Sequence, residues 1–256
     1  MSRILIFAYG ILSYLVFFGV FLYAIAFLGN FYLPNSMDAD PAGPVWQALL
    51  IDLGLLAAFA VQHSLMARPA FKRWWTKFVP QAAERATYVM FSNLAMIALF
   101  VFWQPIGGVI WDIGSQPARS IILAFYFVGW AVLFYATWLI DHFDLFGLRQ
   151  VWMHFRGIPY TSPGFSERGL YKHVRHPIYV GWLMIFWFTP TMTIAHLIFA
   201  VMTTVYMLIA IQLEERDLEN ELGHDYRRYK NRVHMIVPFM KNGRHNKPSA
   251  THTPAE

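Results

Sequence analysis

The sequence predicts an all-α membrane protein, a polytopic bundle of about five full spans with one short hairpin arm. Hydrophobic residues make up 57% of the 256 residues and charged residues only 14%, whereas soluble domains carry about 25% charged residues. Several apolar runs also reach the roughly 20 residues that a helix needs to cross a bilayer. Cysteine is absent, which excludes disulfides, thiolate nucleophiles and zinc sites with cysteine ligands.

The apolar runs follow one another along the chain. The first, residues 4–28, contains no charged residue and is longer than the roughly 7–15 residues of a signal-peptide core, so we interpret it as a span. The next three spans are predicted at residues 45–66, 86–103 and 120–140. A hairpin follows, with an arm at 178–189 and a full span at 191–212. The first arm would be roughly 18 Å long as a helix, which is short for a membrane crossing.

The polar segments between these runs differ in charge. Residues 30–44 contain no Lys or Arg, whereas residues 68–85 are basic and include Trp74 and Trp75 as interfacial anchors. Beyond Leu213 the pattern becomes amphipathic, with apolar residues at helical spacing. We expect one transmembrane domain over residues 1–240 and a disordered cytoplasmic tail over 241–256.

The basic residues predict the orientation. If the N-terminus lies in the cytoplasm, every Lys and Arg except Arg119 falls on the inner side, as the positive-inside rule requires. We therefore predict that both termini are cytoplasmic. The net charge of +5 then reflects topology and contact with lipid headgroups, and not nucleic-acid binding.

Polar residues at the two feet of the hairpin form the candidate site. The first foot is the stretch from His173 to Gly181, which reads HVRHPIYVG, and the second is the pair Glu214 and Glu215. Pro177 suits the first turn of a helix, where its missing N–H is not needed. Folding of the hairpin brings the two feet together at the inner boundary of the membrane.

This pattern resembles a known superfamily. The segment Arg175-His176-Pro177-x-Tyr179-x-Gly181, an apolar hairpin, Glu214-Glu215 and the later Tyr226 and Tyr229 are similar to the isoprenylcysteine carboxyl methyltransferase-like integral membrane methyltransferases. Within that group, the stretch from Asp141 to Gln150 resembles the bacterial methanethiol S-methyltransferases, which make dimethyl sulfide. The resemblance implies a multi-pass protein of the bacterial inner membrane that binds S-adenosylmethionine (SAM) within residues 173–233.

The resemblance assigns cofactor-binding roles to the motif residues. Arg175 is suited to the SAM carboxylate, and His176 and Tyr179 offer donors one helical turn apart. Either glutamate is suited to the ammonium or ribose hydroxyls, while Tyr226 and Tyr229 wall the adenine or anchor their helix to the membrane surface. The predicted cofactor site comprises His173, Arg175, His176, Tyr179, Gly181, Glu214, Glu215, Tyr226 and Tyr229.

Methyl transfer to a small thiol also needs a group that takes the thiol proton. His142 or His63 is suited to this role because a neutral imidazole is available at cytoplasmic pH. We expect Asp144 to pair with His142, and Arg149 to favour the thiolate electrostatically.

Other functions remain open at this point. The C-terminal motif also fits methyl transfer to isoprenylcysteine or to a phospholipid amine. A different class is an NnrU-like haem-binding protein, in which His63 and His142 would be the paired ligands. The predicted partners are a small hydrophobic thiol and membrane lipids, without nucleic acid, bound metal or an obligate protein partner. Asp52 within a span is expected to be paired inside the bundle, and His196 is expected to be structural.

Overall fold

The computed structural model describes residues 2–41 and 43–238, which form a helical bundle with a two-stranded ribbon at one end. The predicted tail at 241–256 lies outside the described residues. The elements, in chain order, are α1 (Arg3–Gly29), α2 (Val45–Ala67), α3 (Pro69–Trp75), α4 (Gln81–Phe102), β1 (Val109–Asp112), α5 (Gln116–Leu139), α6 (His142–Leu145), α7 (Leu148–Arg156), a 3₁₀ turn (Gly169–Lys172), α8 (Pro177–Trp187), β2 (Thr191–Thr193), α9 (Ile194–Leu222) and α10 (His224–Arg232).

Five of the described helices are long and apolar enough to cross a membrane: α1, α2, α4, α5 and α9. This confirms the predicted fold class. The helices begin earlier than the apolar runs suggest, because α4 starts at Gln81 directly after Pro80 and α5 starts at Gln116 with Pro117 in its first turn. Proline has a fixed φ and no N–H, so it is tolerated at this end of a helix and favours its start.

The spans form a ring. Helix α1 packs on α4, α4 on α2, α2 on α9, α9 on α8 and α8 on α5. Side chains close the ring between α5 and α1, where the Tyr126 hydroxyl donates to the Ile25 carbonyl at 2.7 Å and Phe21 contacts Trp130. Buried aromatic and aliphatic side chains from all six helices fill the half of the ring that is remote from the basic loops.

Helices α5 and α8 approach each other closely at a pair of glycines. A Cβ atom on Gly181 would lie 2.8 Å from the Gly129 carbonyl oxygen, and one on Gly129 would lie 3.0 Å from the Gly181 oxygen. Small residues permit such backbone contact between membrane helices. Gly181, which was predicted to be part of the cofactor site, therefore has a packing role against α5.

The short arm of the hairpin reaches the outer loop by changing conformation. Helix α8 ends at Trp187, and β2 then pairs antiparallel with β1 from the loop between α4 and α5. The Trp111 indole donates to the Thr189 carbonyl at 3.1 Å, which gives one freed carbonyl of this irregular segment a partner. The arm therefore extends from the inner feet to the outer loop although only 11 of its residues are helical.

The polar loop between α1 and α2 is joined to the outer end of the hairpin by a hydrogen bond between Asp38 and His196. His196 is fully buried, and its Nδ1 lies 3.0 Å from Asp38 while its Nε2 lies 3.1 Å from the Phe186 carbonyl oxygen. Asn30 and Thr193 also donate to the Asp38 carboxylate. These contacts give His196 the structural role that the sequence suggested.

Asp52, whose partner the sequence did not identify, also faces this outer region. It is buried, and its Oδ1 accepts from the Gln104 backbone N–H at 2.9 Å. The carboxylate thus caps the chain where it leaves α4, which gives one of its oxygens a partner inside the bundle.

At the inner boundary, which we define as the side carrying the basic loops, the chain forms short helices. Helices α6 and α7 meet at Gly147, whose φ is +87° and whose Cβ position would lie 2.6 Å from the Ala86 nitrogen. Only glycine combines that backbone conformation with so close a contact. Helix α9 contains 29 residues and is roughly 43 Å long. It includes most of the predicted span at 191–212 and the first part of the amphipathic segment, whose later part forms α10.

Candidate active site

A buried carboxylate organises the feet of the hairpin. The Glu215 side chain is only 3% exposed, and its Oε1 accepts from Arg175 Nε at 2.7 Å and from His176 Nε2 at 3.0 Å. Its Oε2 accepts from Lys230 Nζ at 2.9 Å. Three cationic or potentially cationic groups from the start of α8 and from α10 thus converge on one residue of α9. A buried charge is tolerated when it is paired and hydrogen-bonded in this way.

The segment that follows α10 adds backbone hydrogen bonds to the same cluster. The Arg175 N–H donates to the His234 carbonyl at 2.7 Å, and the His176 N–H donates to the Met235 carbonyl at 3.2 Å. The Arg175 guanidinium also donates to the Lys230 carbonyl at 3.1 Å. Arg175 therefore has internal acceptors, and the structure gives it a role in joining α8, α9 and α10.

Tyr226 and Tyr229 are almost fully buried, and they pack with Leu218, Leu222 and Val233. The Tyr229 hydroxyl donates to the Tyr171 carbonyl at 2.7 Å. Burial raises the pKa of both tyrosines above the ordinary value, so both phenols stay neutral. Of the two predicted roles, this environment favours anchoring of α10 beneath α9.

Glu214 differs from its neighbour because its side chain is 47% exposed. Its carboxylate accepts from the Tyr179 hydroxyl at 3.2 Å and lies 3.8 Å from His176 Nδ1. Tyr206 lies two helical turns earlier on the same face of α9, and its hydroxyl contacts Ser64 of α2 at 3.1 Å. The available carboxylate of the pair therefore lies on the α9 face that contacts α2. His173 is exposed beside this cluster.

His142 lies in an aromatic enclosure below α1 and α5, with 1% exposure. Its ring stacks on Trp138 at 4.9 Å and contacts Phe146 at 4.8 Å. Its Nε2 lies 2.9 Å from the Tyr14 hydroxyl and its Nδ1 lies 2.8 Å from Thr137 Oγ1. Burial lowers the pKa of His142, and the adjacent Asp141 acts in the opposite direction.

The expected pairing of His142 with Asp144 is wrong. Asp144 instead accepts from Arg149 at 3.2 Å and from the Tyr160 hydroxyl at 3.1 Å. Arg149 also donates to the Thr161 carbonyl at 2.7 Å. The two side chains diverge because His142 begins α6 and points into the bundle, whereas Asp144 faces the loop after α7. Arg149 thus pairs with Asp144 and also lies 3.8 Å from Asp141, and its proposed effect on a thiolate remains a prediction.

His63 lies on the opposite side of the inner half of the bundle. Its Nε2 lies 2.8 Å from the Tyr88 hydroxyl, and its Nδ1 lies 3.2 Å from Ser92 Oγ. Its ring stacks on Phe59 at 5.2 Å, and Phe59 in turn contacts Tyr206 of α9. His63 is therefore next to the face of α9 that carries Glu214.

The two histidines do not face a common point. Phe17 and Phe146 stack at 3.8 Å and pack against the cluster of Met66, Tyr88 and Val89, while Phe146 also contacts His142. Hydroxyl groups occupy both ring nitrogens of His142. This arrangement does not favour haem ligation by the pair.

Several residues of the site were not found by sequence reasoning: Tyr14, Thr137, Tyr88, Ser92 and Lys230. Tyr14 contacts a residue 128 positions away, so no local spacing identifies it. Lys230 was detectable, because it follows Tyr229 directly in the C-terminal motif.

The fold and the site define a multi-pass helical membrane protein with a polar cluster at its inner boundary. Comparison with known proteins adds the family. The family described as "Protein of unknown function (DUF1295)" matches residues 56–233, and the chain belongs to it. No solved structure matches the chain.

Two methanethiol S-methyltransferases match the chain over nearly its whole length. A methanethiol S-methyltransferase of Crocosphaera subtropica is 47% identical over 240 residues, or 94% of each chain. Another, from Mycobacterium tuberculosis, is 48% identical over 239 residues, or 93% of this chain and 98% of that one. Nurim of Bos taurus is 32% identical over 178 residues, or 66% and 68% of the two chains. The predicted resemblance to methanethiol S-methyltransferases is confirmed.

Proposed function

We propose that the chain transfers a methyl group from SAM to methanethiol, which gives dimethyl sulfide. The observation that carries this proposal is the similarity to methanethiol S-methyltransferases, at 47–48% identity over more than nine tenths of the chain. We place the protein in the bacterial inner membrane with the hairpin feet on the cytoplasmic side, because the orientation that puts nearly all basic residues inside also puts the feet there.

The residues at the feet fit the polar groups of SAM. Its ammonium and ribose hydroxyls need acceptors, and Glu214 is a half-exposed carboxylate held by Tyr179. When bound, SAM supplies a methyl group on a sulfonium, which is an electrophile. Glu215 and Arg175 act behind this surface, since their mutual contacts set the positions of α8 and α9. We assign Glu214 and Tyr179 to cofactor binding, together with His176, whose Nδ1 lies 3.8 Å from Glu214. We assign Glu215, Arg175 and Lys230 to support.

The inner half of the bundle suits a small apolar thiol. Tyr14, Phe17, Phe143 and Phe146 form a continuous aromatic surface around His142, and sulfur contacts with aromatic edges are favourable. Exclusion of water strengthens a thiolate as a nucleophile. Two histidine–tyrosine pairs, His142 with Tyr14 and His63 with Tyr88, are the candidates to accept the thiol proton.

The test is a comparison of acceptors with the purified full chain in lipid nanodiscs and SAM. Methanethiol, a prenylcysteine analogue and a phospholipid amine are supplied separately, and dimethyl sulfide is measured in the headspace while the other products are measured by mass spectrometry. We expect product from methanethiol. Methylation of either other acceptor with none of methanethiol would refute the thiol assignment, and no methylation of any acceptor would refute the enzyme assignment.

A further inference from the structure

The hydrogen bonds around His142 determine which ring nitrogen carries its proton. Thr137 Oγ1 lies 2.7 Å from the Phe134 carbonyl oxygen, which can only accept, so the single hydroxyl proton of Thr137 is donated there. Thr137 Oγ1 must then accept from His142, whose Nδ1 is 2.8 Å away. His142 is therefore the Nδ1–H tautomer, and its Nε2 lone pair accepts the Tyr14 hydroxyl proton at 2.9 Å.

This arrangement makes Tyr14 the exposed end of a proton path. His142 itself is 1% exposed, so a substrate cannot reach its nitrogens, whereas Tyr14 is only half-buried. The phenol oxygen of Tyr14 retains lone pairs that can accept from a thiol while its own proton points to His142.

The pair formed by His63 and Tyr88 has the same pattern but is less suited to the role. Ser92 Oγ donates to the Tyr88 carbonyl at 3.0 Å and so accepts from His63, which leaves His63 Nε2 to the Tyr88 hydroxyl. Here the phenol is 7% exposed, so the group that would meet the thiol is covered. The Arg85 guanidinium also lies 4.9 Å from the Tyr88 ring centroid, so a cation borders this pair.

The charge next to His142 is instead an anion. Burial lowers the pKa of His142, whereas the adjacent Asp141 carboxylate, which lies 3.8 Å from Arg149 Nε, acts to raise it. Besides Tyr14 and Thr137, the ring contacts the aromatic side chains of Phe17, Phe134, Trp138, Phe143 and Phe146.

We propose that Tyr14 and His142 act as a relay that removes the proton of the thiol substrate, an inference that rests on the proposed function. The S–H bond breaks and its proton passes to Tyr14 Oη, while the Tyr14 proton passes to His142 Nε2. The electron pair stays on sulfur, which becomes the thiolate nucleophile, and His142 becomes an imidazolium next to Asp141. After methyl transfer, Tyr14 releases to water the proton that came from the thiol and takes its own proton back from His142 Nε2, which restores the starting state. Thr137 is a positioning residue that holds the tautomer.

The kinetic test compares Tyr14→Phe and His142→Gln with Tyr126→Phe. The control also removes a tyrosine hydroxyl. The Tyr126 hydroxyl donates to the Ile25 carbonyl of α1, in the outer half of the bundle. General acid–base catalysis contributes about 10²–10⁴-fold, so we expect kcat for methanethiol to fall at least about 100-fold in the first two variants. SAM affinity measured by calorimetry should stay unchanged, which also shows that these variants are folded. The control should keep its activity.

A higher pH should separate the relay from a merely structural role. As the thiol ionises in solution, the relay is no longer needed, so the activity of Tyr14→Phe should rise relative to the wild type. Thr137→Ser keeps the hydroxyl and should remain active, whereas Thr137→Val should lose activity. Nitrogen-15 NMR of labelled histidine in the ligand-free protein should show His142 as the Nδ1–H tautomer.

The outcomes distinguish the relay from the proposed function. A wild type that fails to methylate methanethiol refutes the proposed function. A wild type that is active, together with an active Tyr14→Phe, refutes the relay alone. A loss confined to Tyr88→Phe and His63→Gln would move the base to His63, and an Nε2–H tautomer of His142 would also overturn the relay.

Discussion

Replacement of Glu215 should affect stability much more than replacement of Glu214, although the two residues are adjacent and chemically identical. In the Glu215→Ala variant, Arg175 loses its carboxylate at 2.7 Å while its side chain stays 6% exposed. A buried pair broken on one side costs about 3–5 kcal/mol, because the remaining charge is uncompensated. Glu214 is 47% exposed, so its contacts contribute roughly 0–1 kcal/mol to stability.

Thermal and denaturant unfolding of both variants in detergent, without ligand, measures this difference. Calorimetry with SAM adds the second measurement. Loss of a hydrogen bond to a charged group costs about 1.5–3 kcal/mol of binding, and we expect this in Glu214→Ala with little change in unfolding.

A double-mutant cycle gives the control. Arg175→Met and Glu215→Met should each destabilise, but the double variant should lose less than the sum, since no buried charge is left alone. If Glu215→Ala unfolds like the wild type and instead fails to bind SAM, Glu215 contacts the cofactor directly and the structural reasoning is wrong.

Three further predictions concern packing, pH and topology. The Gly181→Val variant should be destabilised by about 1–3 kcal/mol because its new side chain meets the Gly129 carbonyl oxygen. The Gly19→Ala variant should keep its stability, since a Cβ atom at Gly19 meets only open space. Equal melting temperatures of the two variants would contradict this prediction. Burial acts to raise the pKa of Asp38, but hydrogen bonds led by that from His196 hold it below its ordinary value. The stability that Asp38 contributes is therefore present above the unfolded pKa of about 3.9 and is lost as pH falls through the lower folded pKa. The Asp38→Asn variant should consequently lose less free energy of unfolding than the wild type as the pH is lowered through this range. The same acid dependence in both proteins would contradict this prediction. Reporter fusions at residue 40 and at the C-terminus should give opposite signals, and matching signals would overturn the predicted orientation.

The sequence by itself determined the fold class, the number of spans and the two feet of the hairpin. Membrane helices must satisfy their backbone hydrogen bonds within the segment and bury long apolar runs in lipid, so length and hydropathy identify them without tertiary information. The contact between the two feet of the hairpin could be predicted for a similar reason. The chain between the feet crosses the membrane and returns, so folding of the hairpin brings them together.

Only the tertiary structure decided which glutamate is buried, which helix Gly181 contacts and what His142 bonds to. Glu214 and Glu215 are adjacent, and their different environments arise from the orientation of α9 between α2 and α10. His142 and Tyr14 are 128 residues apart, and they meet because the bundle closes into a ring in which α1 lies next to α5. A one-dimensional pattern reports periodicity along one helix, but hydrogen-bond partners between helices depend on rotations and depths that packing alone sets.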